Sequence, residues 1–154
     1  MPLGEKGDRM AARKADIGRR LVAVMIDYFI AGVLGTLPLL GGLLAIAYLL
    51  TRDAIWQAFM VSGDWDGRSV GKRLMGLRVV RLDGGPVDFA TSAKRNVTLV
   101  AASIIIMVPV VGRIAAPIVA LGLSLFELFL AVTDPQGRRF GDRLADTVVA
   151  DARD

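Results

Sequence analysis

Residues 21–50 read LVAVMIDYFIAGVLGTLPLLGGLLAIAYLL, and Asp27 is the single charged side chain among these 30 positions. About 20 apolar residues are enough to cross the hydrocarbon core of a bilayer. The middle of the run favours a turn, because proline lacks an amide proton and glycine tolerates positive φ. The residues concerned are Gly35, Pro38, Gly41 and Gly42. We therefore predict a tight helical hairpin, with spans over about residues 17–37 and 40–60.

A second apolar block, residues 97–133, has the same organisation. Its turn-forming and polar positions lie in the middle and are Pro109, Gly112, Arg113 and Pro117. Two further spans are predicted, over about 94–111 and 114–133, and Lys94 and Arg95 are expected to reach the membrane surface because the third span is short. The fold class is therefore an all-α membrane protein, a bundle of four transmembrane helices in two hairpins, with a cytoplasmic loop over 62–93.

Overall composition agrees with a membrane protein. The chain of 154 residues is 54% hydrophobic, and its mean hydropathy of +0.53 is high for a soluble domain. It contains no cysteine and no histidine, which removes thiolate and imidazole chemistry. We expect no metal site, no cofactor and no enzymatic activity, and the basic residues form no known nucleic-acid-binding motif.

The distribution of basic residues predicts the orientation. Of the 19 Lys and Arg residues, six precede Leu21, seven lie in 62–96 and four follow Thr133. The positive-inside rule places all three segments in the cytoplasm. The prediction is a multi-pass protein of the inner membrane, with a basic cytoplasmic segment 1–16, a membrane domain 17–150, a tail 151–154 and both termini inside.

Ionisable residues within the predicted spans are Arg52, Asp53, Asp27 and Glu127. A charge at mid-bilayer costs at least about 2.5–3.5 kcal/mol, so each needs a partner, water or a proton. Asp27 follows Arg20 by seven residues, two helical turns along one face, and lies in a stripe of small residues that should face other helices. Glu127 lies on a similar face of the fourth helix.

Two interpretations of these carboxylates remain open. They could form a pathway for protons or hard cations, because a carboxylate shielded from water can exchange one for the other. They could instead stabilise helix packing, with Asp27 or Glu127 paired to Arg20 or Arg52. Arg52 and Asp53 are expected to be structural and to contact different helices.

The predicted cytoplasmic loop contains a strand-like segment. LRVV from Leu77 has high β-propensity and LDGG from Leu82 favours a turn, so a short amphipathic β-hairpin is expected at the membrane surface. Its basic residues would contact anionic lipid head groups, or alternatively a specific ligand. They are Lys72, Arg73, Arg78 and Arg81.

Several segments together resemble the RDD family of prokaryotic membrane proteins, which is named for an arginine and two aspartates. They are RRLVAVMID from Arg19, GRSVGKRLMGLRVVRLDGGPV from Gly67, Arg95 before the third span, and GDRLADTVV from Gly141. The resemblance identifies Arg20 as the family arginine, Asp27 as the intramembrane aspartate and Asp142 as the second aspartate. The cytoplasmic motif it implies comprises Gly67, Ser69, Gly71, Lys72, Arg73, Gly76, Arg95, Asp142 and Arg143.

The chain departs from the family pattern at two points. Asp146 stands where the family commonly has glycine, and the segment IWQAFMVSGDWD from Ile55 lengthens the approach to Gly67. The first departure argues against a tight turn at residue 146, and the second moves the end of the second helix away from the position that the family pattern implies.

Two functions are carried forward. The resemblance and the buried acids favour a small transporter, with monovalent cation/proton exchange as the leading hypothesis. Asp27 would carry the proton or cation, Glu127 would be a second carrier, and Arg20 would tune Asp27 and gate the cytoplasmic mouth. Asp142 would pair with a loop arginine. We also expect a homo-oligomer, because four helices leave little room for an internal pathway. The alternative is a scaffold or accessory subunit that binds lipid head groups or a protein partner.

Overall fold

The computed structural model describes residues 15–60, 63–105 and 111–152. The basic segment before residue 15, residues 61–62, the predicted turn around Pro109 and the last two residues of the tail lie outside these ranges. The elements, in chain order, are α1 (Ile17–Gly35), α2 (Gly41–Thr51), α3 (Ile55–Phe59), a 3-10 turn (Gly63–Trp65), α4 (Val70–Leu74), β1 (Leu77–Arg81), α5 (Phe89–Ile105), α6 (Val111–Thr133), α7 (Phe140–Leu144) and β2 (Thr147–Asp151).

The long helices occupy the predicted apolar blocks, with two differences. The helix predicted over 40–60 is divided, because α2 ends at Thr51 and a turn over 52–54 separates it from α3. The third long helix begins at Phe89, earlier than the predicted residue 94, because the Asp88 carboxylate accepts a hydrogen bond from the Thr91 amide at 2.7 Å. An aspartate in this position satisfies one of the free amides of the first turn.

The predicted local β-hairpin is corrected by the strands, whereas the fold is mostly helical, as predicted. β1 pairs with β2 near the C-terminus in an antiparallel register, with Val79 opposite Val149. The turn after β1 leads into α5 instead of a returning strand. The tail therefore supplies the missing partner, and the sheet joins the end of the chain to its middle.

The outward faces of the long helices are apolar, and the inward face of α1 consists of small and charged residues. On α1 the buried residues are Ala23, Asp27 and Ala31, while Met25 is 70% and Phe29 73% exposed. This confirms the predicted inward stripe. Small and polar residues inside with large apolar residues outside are typical of helices packed within lipid.

Within the described ranges, Ile114–Thr133 of α6 is long and apolar enough to cross a membrane by length and composition, and α2 is a shorter apolar helix. The helices pack in the order α1, α2, α5, α6. The short helix α4 packs on α1, and α7 packs on α5 in the same manner.

The chain contains an internal repeat, which is not among the predicted features. Residues 67–74 read GRSVGKRL and residues 137–144 read GRRFGDRL, 70 positions later. Each segment follows a helical hairpin and continues through a short helix into a strand, so α1 to β1 and α5 to β2 are two copies of one unit.

The two copies share backbone details that require glycine. Gly67 and Gly137 have φ of 64° and 69°. A Cβ atom on Gly71 would lie 2.0 Å from the carbonyl oxygen of Ala23 in α1, and one on Gly141 would lie 2.0 Å from that of Arg95 in α5. Both short helices therefore touch the backbone of the first helix of their own unit.

Strand pairing relates the two units by an approximate two-fold axis. Val79 and Val149 are equivalent residues, again 70 positions apart, and they lie opposite each other in the sheet. Parallel repeats related in this way occur in membrane transport proteins, with the axis along the membrane normal.

Candidate functional site: a buried charge cluster between the repeats

Charged side chains from five parts of the chain meet at the interface between the repeats. The helix break after α2 supplies two of them, and the short helices α4 and α7 carry others against the first helix of each unit. The members are Arg20, Asp27, Arg52, Asp53, Lys72, Arg95, Arg139 and Asp142. Such charges are stable away from water only when they are paired and hydrogen-bonded.

Asp27 is fully buried and its oxygens have several donors. They accept hydrogen bonds from Ser69 Oγ at 2.6 Å, the Gly71 amide at 2.9 Å and Tyr48 Oη at 3.3 Å. Arg52 Nη1 lies 3.4 Å from Oδ2. The expected pairing with Arg52 is present, and that with Arg20 is not. Asp27 thus joins α1 to α2 and α4.

Asp53 joins a different set of elements. Its carboxylate contacts Lys72 Nζ of α4, accepts a hydrogen bond from Asn96 Nδ2 at 3.1 Å, and lies 3.5 Å from Arg95 Nε of α5. Arg52 and Asp53 therefore contact different helices, as predicted. The turn over 52–54 allows neighbouring residues to point in these two directions.

Asp142 contacts three guanidinium groups. Arg95 Nη2 lies 2.6 Å from it, Arg20 Nη2 2.9 Å and Arg139 Nε 3.3 Å. Burial alone would raise the pKa of this carboxyl, but the three cations hold it well below its ordinary value. The predicted partner of Asp142 was a loop arginine, whereas its partners are Arg20 of α1, Arg95 of α5 and Arg139 before α7. Arg20 therefore pairs with Asp142 and not with Asp27.

Two cations predicted at the membrane surface are instead buried. Lys72 is 5% and Arg95 1% exposed. Lys72 pairs with Asp53, and Arg95 bridges Asp53 and Asp142. Burial lowers the pKa of Lys72 to about 8, although Asp53 opposes that change.

Glu127 of α6 differs from the three aspartates. It is 4% exposed, as an inward-facing residue should be, and Thr98 Oγ1 of α5 donates a hydrogen bond to its Oε1. Its Oε2 has no hydrogen-bond partner, and no lysine or arginine in the described part of the chain lies within ion-pair distance.

A cavity lies beside the cluster, between α1 and α6. Its volume is about 140 Å³, and the charged residues that line it are Arg20, Arg52, Lys72, Arg95, Glu127 and Arg139. The Nε and Nη1 atoms of both Arg52 and Arg95 have no hydrogen-bond partner. The cavity therefore combines unused cationic donors with one carboxylate that lacks a cation. Across the described ranges, no group of three or more acidic residues could hold a metal ion.

The remaining motif residues shape the backbone or the outer surface. Ser69 Oγ also accepts a hydrogen bond from the Lys72 amide at the start of α4, at 3.3 Å, and Gly76 has a φ of 62° before β1. The guanidinium carbon of Arg73 lies 4.2 Å from the ring centre of Trp65. Arg143 pairs with Asp134 at 2.8 Å.

Several cluster residues were not predicted. Arg139 could have been found from the repeat, because it occupies the position of Ser69 in the second copy. Tyr48, Asn96 and Thr98 carry no pattern in one sequence that separates them from other polar residues on apolar helices. Asp146 has a φ of 48°, so the turn expected from the family glycine is present despite the substitution.

Residues 14–146 match the family model described as RDD family. Comparison with curated proteins and with solved structures gave no match.

Proposed function

This chain belongs to the RDD family, and from that membership we propose a multi-pass transporter of the inner membrane with both termini in the cytoplasm. Four spans would be formed by α1, by α2 with α3, by α5 and by α6. Their exposed apolar faces and the basic segments between the hairpins support this topology.

The transported ion would pass through the cavity between the repeats, coupled to a proton on Glu127. The observation that carries this proposal is the environment of Glu127, a buried carboxylate with one free oxygen and no cation in ion-pair distance among the described residues. Such a group can exchange a proton for an ion. The four contacts of Asp27 argue against it as the carrier and favour a structural role.

A monovalent cation is the exchanged ion favoured by the sequence. Glu127 with the hydroxyl of Thr98 would supply the oxygen ligands for it. We also propose a homo-oligomer, because four helices enclose little space and the outward face of α6 is apolar. Head groups of the bilayer would contact exposed basic residues such as Lys94.

Flux measurements in proteoliposomes test the proposal. Vesicles containing the full chain should show proton flux when a gradient of Na⁺, K⁺ or Li⁺ is imposed, and Glu127→Gln should abolish it because the side chain can no longer bind a proton. Wild-type vesicles without flux for every ion tested, or undiminished flux in Glu127→Gln, would contradict it.

A scaffold or accessory role is the second candidate. The saturation of Asp27, Asp53 and Asp142 by ion pairs and hydrogen bonds favours it, because such a network can serve packing alone. It predicts that Asp27→Asn mainly lowers the yield of folded protein. Loss of flux in a stably folded Glu127→Gln variant would exclude a purely structural role.

A further inference from the structure

The cavity between α1 and α6 presents cationic donors without acceptors. Arg52 is 0% and Arg95 1% exposed, and Arg52 Nε and Arg95 Nη1 have no hydrogen-bond partner. Arg52 Nη1 and Arg95 Nε have only ion-pair contacts, at 3.4 Å from Asp27 and 3.5 Å from Asp53, without a hydrogen bond. A buried donor without an acceptor is strongly disfavoured, so these nitrogens call for further oxygen ligands. The donors of two guanidinium groups suit the oxygens of a phosphate or carboxylate.

Charge in and behind the cavity is positive. Five cations, Arg20, Arg52, Lys72, Arg95 and Arg139, line it, and three aspartates lie among them. Two positive charges remain in excess when Glu127 is protonated, and one when it is ionised. In a buried site such an excess attracts an anion more strongly than it would at the surface.

The packing of the helices gives an anionic group access to the cavity. α2 packs on α5, whereas α1 and α6, the other pair at the interface between the repeats, have few direct contacts. The apolar lining of the cavity includes Leu21, Val24, Leu99 and Leu128, and it reaches the surface because Leu21 is 47% exposed. An anionic group can therefore reach the arginines either from water or at the end of an apolar molecule.

We propose that this cavity binds an anionic group, a phosphate or a carboxylate, through the free donors of Arg52 and Arg95. The inference rests on the cavity of the proposed transporter, and it adds an anion at the arginines to the monovalent cation proposed at Glu127 and Thr98. Two sources share this chemistry, a small anion in solution and the head group of an anionic lipid entering between α1 and α6.

Binding is measured on the purified full-length chain without any gradient, so that its result is independent of transport. In the first arm, thermal unfolding in detergent is followed in sodium phosphate, acetate and chloride at equal ionic strength. In the second arm, native mass spectrometry compares retention of phosphatidylglycerol and phosphatidylcholine.

Arginine-to-lysine variants test the site itself. Arg52→Lys and Arg95→Lys keep the positive charge that the aspartates need but remove most of the guanidinium donors. Each should weaken binding about tenfold or more, as expected for a lost charge-assisted hydrogen bond. Arg81→Lys is the matched control, because Arg81 pairs with Asp83 outside the cavity. Leu128→Trp, which narrows the cavity without changing charge, should also weaken binding.

Stabilisation by phosphate or acetate over chloride would identify a small anion, and selective retention of phosphatidylglycerol would identify a lipid head group. Neither effect in the wild type would overturn the inference. It would also be overturned if Arg52→Lys, Arg95→Lys and Leu128→Trp all bound as the wild type does. Binding without flux would support the site while contradicting transport.

Discussion

Nη2 of Arg20 lies 2.9 Å from Oδ2 of Asp142, although 122 residues separate them. Arg20 belongs to the first helix of one repeat, and Asp142 to the short last helix of the other. These two residues, which the resemblance identifies with the arginine and the second aspartate of the family name, therefore join the repeats to each other. Asp27 joins elements within the first repeat.

Substitution of Asp142 should destabilise the protein more than substitution of Arg20. Asp142→Asn removes the anion that three guanidinium groups share and leaves Arg20 and Arg139 without their carboxylate partner, while Arg95 keeps Asp53. Arg20→Gln leaves Asp142 with two cations. Removing one side of a buried ion pair typically costs about 3–5 kcal/mol, and we expect Asp142→Asn to reach this range. Chemical unfolding in detergent measures the free energies. Equal losses for the two variants would contradict the described geometry.

The repeat makes a symmetric prediction for two glycines. Gly71→Ala and Gly141→Ala should each destabilise the protein by roughly 1–3 kcal/mol or more, because each new Cβ meets a carbonyl oxygen of the adjoining helix. Gly122→Ala is the control, since a Cβ there has no atom within 4 Å. Thermal unfolding of the three variants compares them. Two harmless substitutions at Gly71 and Gly141 would rule out the close helix contacts.

Lys72 should make stability depend on alkaline pH. Burial lowers its pKa from 10.5 to about 8, so between these values the unfolded chain binds a proton that the folded protein does not. The free energy of unfolding should therefore rise with pH through this window. Lys72→Met lacks the titrating group, and the difference between the two pH profiles isolates its effect. A difference that falls as pH increases would contradict the lowered pKa.

The sequence was sufficient for local features and insufficient for the pairing of distant residues. Apolar runs predicted the long helices, and the small-residue stripe around Asp27 predicted its inward face. The partner of Arg20 could not be predicted, because helical spacing relates it to Asp27 while the tertiary fold brings Asp142 closer. The pairing of β1 with β2 is likewise non-local, and the strand propensity of Leu77–Arg81 does not specify its partner.

The internal repeat in the sequence nevertheless contains part of the information about these distant pairings. Aligning residues 67–74 with 137–144 matches two short helices and extends to the strands that follow them. The same alignment matches Lys72 with Asp142, so two buried residues of opposite charge occupy equivalent positions in the two repeats. The repeats are thus similar in backbone and different in charge, which explains why each short helix binds a different partner.

Proton flux in proteoliposomes, compared between Glu127→Gln and Asp27→Asn at equal amounts of folded protein, tests the central claim most directly. Glu127 is the buried carboxylate without a cation in ion-pair distance across the described ranges, and Asp27 is held by Arg52 and three hydrogen-bond donors. If Glu127 carries the proton, the folded Asp27→Asn protein retains ion-driven proton flux and Glu127→Gln loses it. Flux that survives in Glu127→Gln and disappears in Asp27→Asn would contradict this role of Glu127.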